Sequence, residues 1–362
     1  MKAKVILATI LILAASCVKN EVREVSIHGD GQILYNPAPL RPMTTKAVPP
    51  PFPTTSTFGS CAWYLPGDNK WDDHHAAEAT ATVVPTPYIE PSVISCKYGQ
   101  WKAWNSQKTY YWPMNGSLTF ISWAPADLLD KVDDSKNKLN SVTREEGFKI
   151  TNWKMENTPG YGIVPPTSEG GVSTTDPDVD ILLSYTKDCT RNTADGKVLT
   201  KFSHLLCKVK VEARLANDKV EEKVIESVTL TNIYTKSDYV AGNWTNQSEC
   251  QDYVYSQTGG TSMPAKDPTN KVIFPETMFL PQYLSKDAKR TDRPKISIKL
   301  RGSKNPIEGY LWNDKISTSL SVWDQGKSIT YVITIGNETE YIDFTAGVGG
   351  WGDGSSNDVA VQ

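Results

Sequence analysis

The stretch KVKVEARL, residues 208–215, sets Val209, Val211, Ala213 and Leu215 against Lys208, Lys210, Glu212 and Arg214. A period of two marks a half-buried strand, with one face on a core and the other in water. The same alternation recurs in KISIKLR (295–301), where Ile296, Ile298 and Leu300 share a face. It recurs in SITYVITI (328–335), with Ile329, Tyr331, Ile333 and Ile335 together. SLTFISW (117–123) and VDILLSY (179–185) behave alike. Helical patterns are scarce: the best are Ala124–Val132 and Glu145–Trp153, both short. Twenty-three prolines and twenty-four glycines punctuate the chain, as many short strands and turns require. The pattern predicts an all-β protein.

Hydrophobic residues make up 39% of the 362 residues and aromatics 10%, enough for real cores, which excludes global disorder. The length suggests about two domains. The net charge of −3 argues against a nucleic-acid binder, which carries a basic domain.

The N-terminus reads as a targeting segment. Lys2 and Lys4 precede an apolar run from Val5 to Ala15, too short to span a bilayer, which needs about 20 apolar residues. The run ends in Leu13-Ala14-Ala15-Ser16-Cys17, which resembles a bacterial lipobox. That reading predicts a signal peptide over 1–16 and an acylated Cys17, held at the outer membrane by its lipid. The simpler alternative is an ordinary cleaved signal followed by a chance cysteine.

Residues 17–57 read as a tether. It holds one strand-like piece, REVSIHG (23–29), and then LRPMTTKAVPPPFPTT (40–55), whose prolines remove ladder donors and leave an extended, protease-accessible linker. DKVDDSKNKLNSVTREE (130–146) is a solvated charged stretch. A polar seam at TKDCTRNTADGK (186–197) divides the remainder into domains over 58–190 and 191–362.

The order of motifs resembles the fimbrillin family of pilus and pilus-accessory subunits. The resemblance rests on TTKA (44–47), WNSQKTYYWPMNGSLTFISWAP (104–125), VDILLSY and KFSHLLCKVKVEARL (201–215). It continues through FPETMFLPQYL (274–284), WDQGKSITYVITIG (323–336) and VGGWGDG (348–354). It implies two transthyretin-like β-sandwich domains and no catalysis. It also implies assembly by strand exchange: a trypsin-like protease removes an N-terminal strand, and the opened groove takes a C-terminal strand from another pilus subunit. On this chain the removable strand falls on REVSIHG, with Val25 and Ile27 inward, and the cut on Arg41 or Lys46. Pro42 after Arg41 favours the Lys46-Ala47 bond. The donor strand falls on DVAVQ (358–362), with Val359 and Val361 alternating. The proline at the first cut and five cysteines beyond Cys17 favour a tip, anchor or other accessory subunit over a shaft subunit. Its ligands would be host or bacterial surfaces.

Several other residues invite a chemical reading. WDDHH (71–75) offers carboxylates and imidazoles, but adjacent ligands on one loop rarely close a metal geometry. His204 reads as a satisfied histidine on a strand. No nucleophile elbow, zinc-protease helix motif or phosphate loop occurs, so no catalytic residue, metal or cofactor is expected. Cys61, Cys96, Cys189, Cys207 and Cys250 contain no CxxC pair. A Cys61–Cys96 bridge and simple buried thiols both remain open. Eleven tryptophans suggest an alternative function, a surface glycan-binding lipoprotein using Trp101, Trp104, Tyr111 and Trp112 as a stacking platform. Core packing is the competing reading of the same rings.

Overall fold

The computed structural model describes residues 31–38, 52–54, 56–97, 103–129, 140–155, 180–193, 196–284, 293–312, 321–336, 343–350 and 358–359. These residues are nearly all β. In chain order the strands begin with β1 (Leu34–Pro37), β2 (Thr57–Leu65), β3 (Thr86–Lys97), β4 (Ala103–Ser106) and β5 (Ser117–Ala124). Next come β6 (Ser141–Thr143), β7 (Gly147–Lys154), β8 (Leu182–Cys189), β9 (Lys197–Thr200) and β10 (Ser203–His204). β11 (Cys207–Leu215), β12 (Lys223–Val240), β13 (Asn243–Tyr255), β14 (Thr261–Met263), β15 (Lys271–Phe279) and β16 (Gln282–Tyr283) follow. The last are β17 (Lys295–Leu300), β18 (Ile307–Tyr310), β19 (Val322–Trp323), β20 (Lys327–Ile335), β21 (Asp343–Gly350) and β22 (Asp358–Val359).

Eight strands form one sheet in the order β10-β8-β5-β2-β3-β4-β1-β9. A second sheet runs β15-β11-β20-β21-β22, and a third runs β18-β17-β12-β7-β6 with β13 and β14 also on β12. β16 and β19 make a small separate ladder. The second and third sheets face each other across one apolar core. Val209, Val211, Ile329, Tyr331 and Ile333 come from one side, and Ile225, Val228, Leu230, Ile296 and Ile298 from the other. This is sandwich packing, and the alternation in KVKVEARL, KISIKLR and SITYVITI supplies both inner faces.

The first sheet buries both faces. Cys61, Trp63, Ile121 and Trp123 point into a core shared with Phe148, Trp153 and Tyr239. Phe58, Ala62, Leu118 and Phe120 point into another, with Tyr35, Ile94 and Trp104. SLTFISW alternates as expected, but every residue of β5 is buried, so it is covered on two sides rather than one. At Gly59, opposite Trp123, an added Cβ would lie 2.2 Å from the indole. The ring lies directly against the backbone, so this strand position admits no side chain.

Neither expected helix forms as drawn. Ala124–Val132 contains only a 3-10 turn at Ala126–Leu128, with residues 130–132 outside the described set. Glu145–Trp153 contains most of β7. Phe148, Ile150 and Trp153 are its buried large residues, a spacing that imitates a helix face. The cause is an irregular register against β12 between Ser237 and Tyr239. There Asn152 adopts a left-handed φ of 54° and donates its backbone N–H to Asp238 Oδ1 at 2.7 Å. The irregularity returns Trp153 to the apolar face.

The seam drawn at 190/191 lies inside the first sheet's strand set, since β9 and β10 pair within that sheet. The chain passes to the second sheet at Leu205–Cys207, and β7 pairs with β12 of the third. The proline-rich linker is anchored at its far end by Phe52, which is buried against Phe58, Trp104 and Phe202. Cys61 and Cys96 lie in different cores and form no bridge. β13 pairs only with β12 among the described strands, through two register shifts, and Asn246 and Glu249 on it are left-handed. Among the described residues no helix is long and apolar enough to cross a membrane.

Gly59→Ala should destabilise the fold by about 1–3 kcal/mol in urea titration, because the Trp123 indole must be displaced. Burial pushes the thiols of Cys61 and Cys207 well above the ordinary range and that of Cys189 up to about 11. All three should resist a water-soluble thiol reagent in the folded chain and react on unfolding, read by mass spectrometry.

Candidate functional site

The feature of the first sheet that bears on function is the seat of β1. This strand arises from QILYNPA, a short apolar run closed by Pro37. Gly31 has a φ of 101°, a turn that favours glycine, and its carbonyl accepts the N–H of Trp112 at 2.7 Å. Ile33 donates its N–H to Tyr110 O at 2.8 Å. Tyr88 Oη donates to Tyr111 O at 2.6 Å and fixes that neighbour. Beyond this point β1 runs between two partners. It is antiparallel to β4 at Tyr35↔Trp104, and parallel to β9 from Leu34↔Lys197 to Pro37↔Thr200. The ladder ends with Ala38 donating to Thr200 O at 2.8 Å.

Ile33, Leu34 and Tyr35 are all buried. The Tyr35 ring meets Phe58 and Phe120 edge-on at 5.7 and 5.8 Å. Each such side chain contributes roughly 1.5–3 kcal/mol by leaving water. The Tyr35 hydroxyl opposes this. It is buried beside Ser60, whose own hydroxyl is engaged with Ser122 at 2.8 Å, and it lies outside hydrogen-bond geometry. Burial raises its pKa, against the lowering effect of the neighbouring Ser60 hydroxyl. An unsatisfied buried hydroxyl costs about 1–3 kcal/mol, so β1 is held by its apolar contacts and opposed by this one polar atom.

Cys17, REVSIHG, Arg41, Lys46, Trp101 and Val361 lie outside the described residues. Val359 is in β22, which pairs with β21 at Ala346↔Val359 and Gly347↔Asp358. Trp104 and Trp112 are 8% and 7% exposed and belong to the core around Tyr35. Their faces are closed to a sugar, so the stacking platform is not assembled there. Of its described members only Tyr111, at 56%, is exposed.

WDDHH is a structural corner. Trp71 donates its backbone N–H to Asp188 Oδ1 at 2.9 Å, Asp72 pairs with Lys187 at 2.6 Å, and His75 stacks on the Trp71 ring. Among the described residues no three His, Cys, Asp or Glu side chains gather as a metal site. His204 Nδ1 lies 2.6 Å from Asp180 Oδ2. Burial raises the pKa of Asp180, against the lowering effect of that contact. The strand at 34–37 was missed in the sequence because its apolar run, Ile33 to Tyr35, is only three residues long before proline ends it.

Fold and seat together define an all-β protein whose first sheet is completed by a strand from its own N-terminal segment. Over residues 68–351 the chain matches the profile of the fimbrillin-like family, and it belongs to that family. No curated protein matches the chain. Among solved structures it is similar to a fimbrial protein from Bacteroides vulgatus, with 17% identity and a TM-score of 0.56. That match covers 89% of this chain and 100% of the other. It is also similar to the C-terminally truncated tip fimbrial protein Mfa3 of Porphyromonas gingivalis. There the identity is 11% and the TM-score 0.44, covering 89% of this chain and 99% of the other.

Tyr35→Phe should raise stability by about 1 kcal/mol in urea titration, since it removes an unsatisfied buried group. Tyr35→Ala should lower it by about 3 kcal/mol or more, by opening a cavity against Phe58 and Phe120.

Proposed function

We propose that this chain is a lipid-anchored accessory subunit of a pilus, at its tip or its anchor, working structurally in adhesion and joined to neighbours by strand exchange. The observation that carries the reading is the position of β1. It lies between β4 and β9 and upstream of Arg41 and Lys46, so a cut at either residue detaches it from the rest of the chain. Loss of β1 leaves the edges of β4 and β9 unpaired and uncovers Phe58 and Phe120. A strand from another subunit satisfies both the backbone and the pocket. The tail supplies a candidate donor in Val359 and Val361, and β22 is held on its own sheet edge by two registered pairs. Acylation at Cys17 would deliver the chain to the outer membrane before processing.

The reading is tested by limited digestion with a trypsin-like protease followed by size-exclusion chromatography. The parent chain should shift to oligomers, and the Arg41→Ala, Lys46→Ala double variant should stay monomeric under the same digestion. Equal polymerisation of the two would overturn the maturation step.

A further inference from the structure

A separate pocket lies away from the β1 seat, where the start of β13 meets the β16–β19 ladder. Its volume is about 340 Å³. That is within the range of ligand pockets and large enough for one or two sugar rings. Its base is fixed by Gln282, which is buried. Gln282 accepts the Tyr234 backbone N–H at 3.0 Å and donates to Leu280 O at 3.1 Å. One wall is Trp244, whose Nε1 is anchored on Leu205 O at 2.6 Å, leaving the ring half-buried. Tyr283, which is 59% exposed, also lines it.

The polar lining is biased in a particular way. Asn243 and Asn246 use their side-chain N–H groups internally, on Ala241 O and Asp238 Oδ2, and Gln247 does the same on Pro281 O. This orients three amide carbonyls as acceptors with no partner among the described residues. Asp324 and Gln325 complete the rim. Among the described residues the lining contains no lysine or arginine. Aromatic faces suit the apolar side of a pyranose ring. Acceptor-rich amides and one carboxylate suit hydroxyl donors, and a carboxylate repels anions.

We infer that this pocket binds a neutral saccharide, with Tyr283 stacking on the ring and Asn243, Asn246, Gln247 and Asp324 accepting its hydroxyls. The inference stands apart from strand exchange and holds whether or not β1 is removed. It selects against sialylated, uronate-containing and sulfated glycans.

The test is a glycan array probed with the full chain. Hits are followed by saturation-transfer NMR, with methyl β-D-galactoside, methyl α-D-mannoside and N-acetyl-D-glucosamine as soluble probes. Neutral glycans should bind, with transfer to ring protons from the aromatic walls. Tyr283→Ala, at an exposed position that leaves the core intact, should weaken binding about tenfold or more. Asp324→Asn should retain the neutral glycans and admit acidic ones. A silent array, hits confined to acidic glycans, or unchanged binding in both Tyr283→Ala and an Asn246→Ala variant would each overturn the assignment.

Discussion

The fold depends on the register of β11. Its side chains alternate strictly, so a slip of one residue would send Lys208, Lys210, Glu212 and Arg214 into the core in place of Val209, Val211, Ala213 and Leu215. Two ladders prevent that slip. β20 runs parallel to β11 through eight consecutive pairs, from Lys208↔Ser328 to Leu215↔Ile335, and β15 runs antiparallel on the other edge. On the wet face Lys208 meets Glu276 at 2.8 Å. The same arrangement places the chain ends around it: β16 follows β15 and β19 precedes β20. The pairing that seals the sandwich therefore brings Gln282 beside Trp323 and shapes the pocket above them.

The first sheet obeys a different rule. It has apolar cores on both sides, with the rings of Phe58 and Phe120 in one and Trp63 and Trp123 in the other. That choice explains why a glycine must sit opposite Trp123, and why so many of the tryptophans are interior. It also explains why β1 matters. A single four-residue strand closes the core around Phe58 and Phe120, though one of its own atoms has nothing to bond. Such a plug is stable because its apolar area outweighs one stranded hydroxyl.

Much of this was legible in the sequence. The strands at 208–215, 295–300 and 328–335 and the direction of their side chains follow from a two-residue period. The all-β class follows from those strands together with frequent turn residues. Three features besides β1 were not legible, each for a local reason. β7 was disguised because a left-handed Asn152 changes the spacing of its buried residues from two to three. β5 looked half-covered because the serines and threonine between its large residues are small enough to be buried too. The pocket at Tyr283 joins residues about 40 and 80 positions apart through ladders whose pairing no local pattern announces. Of the two readings of the tryptophans at 104 and 112, the buried positions of both rings agree with core packing, while the neighbouring Tyr111 is exposed.

The outermost strand of the third sheet carries a further consequence. β13 is thirteen residues long and offers one margin to solvent. A flat margin of that length invites copies of the chain to zip together wherever they crowd on a surface. The left-handed turns at Asn246 and Glu249 break its row of donors and acceptors into short, misaligned pieces. Lateral sticking is thereby discouraged along this flank.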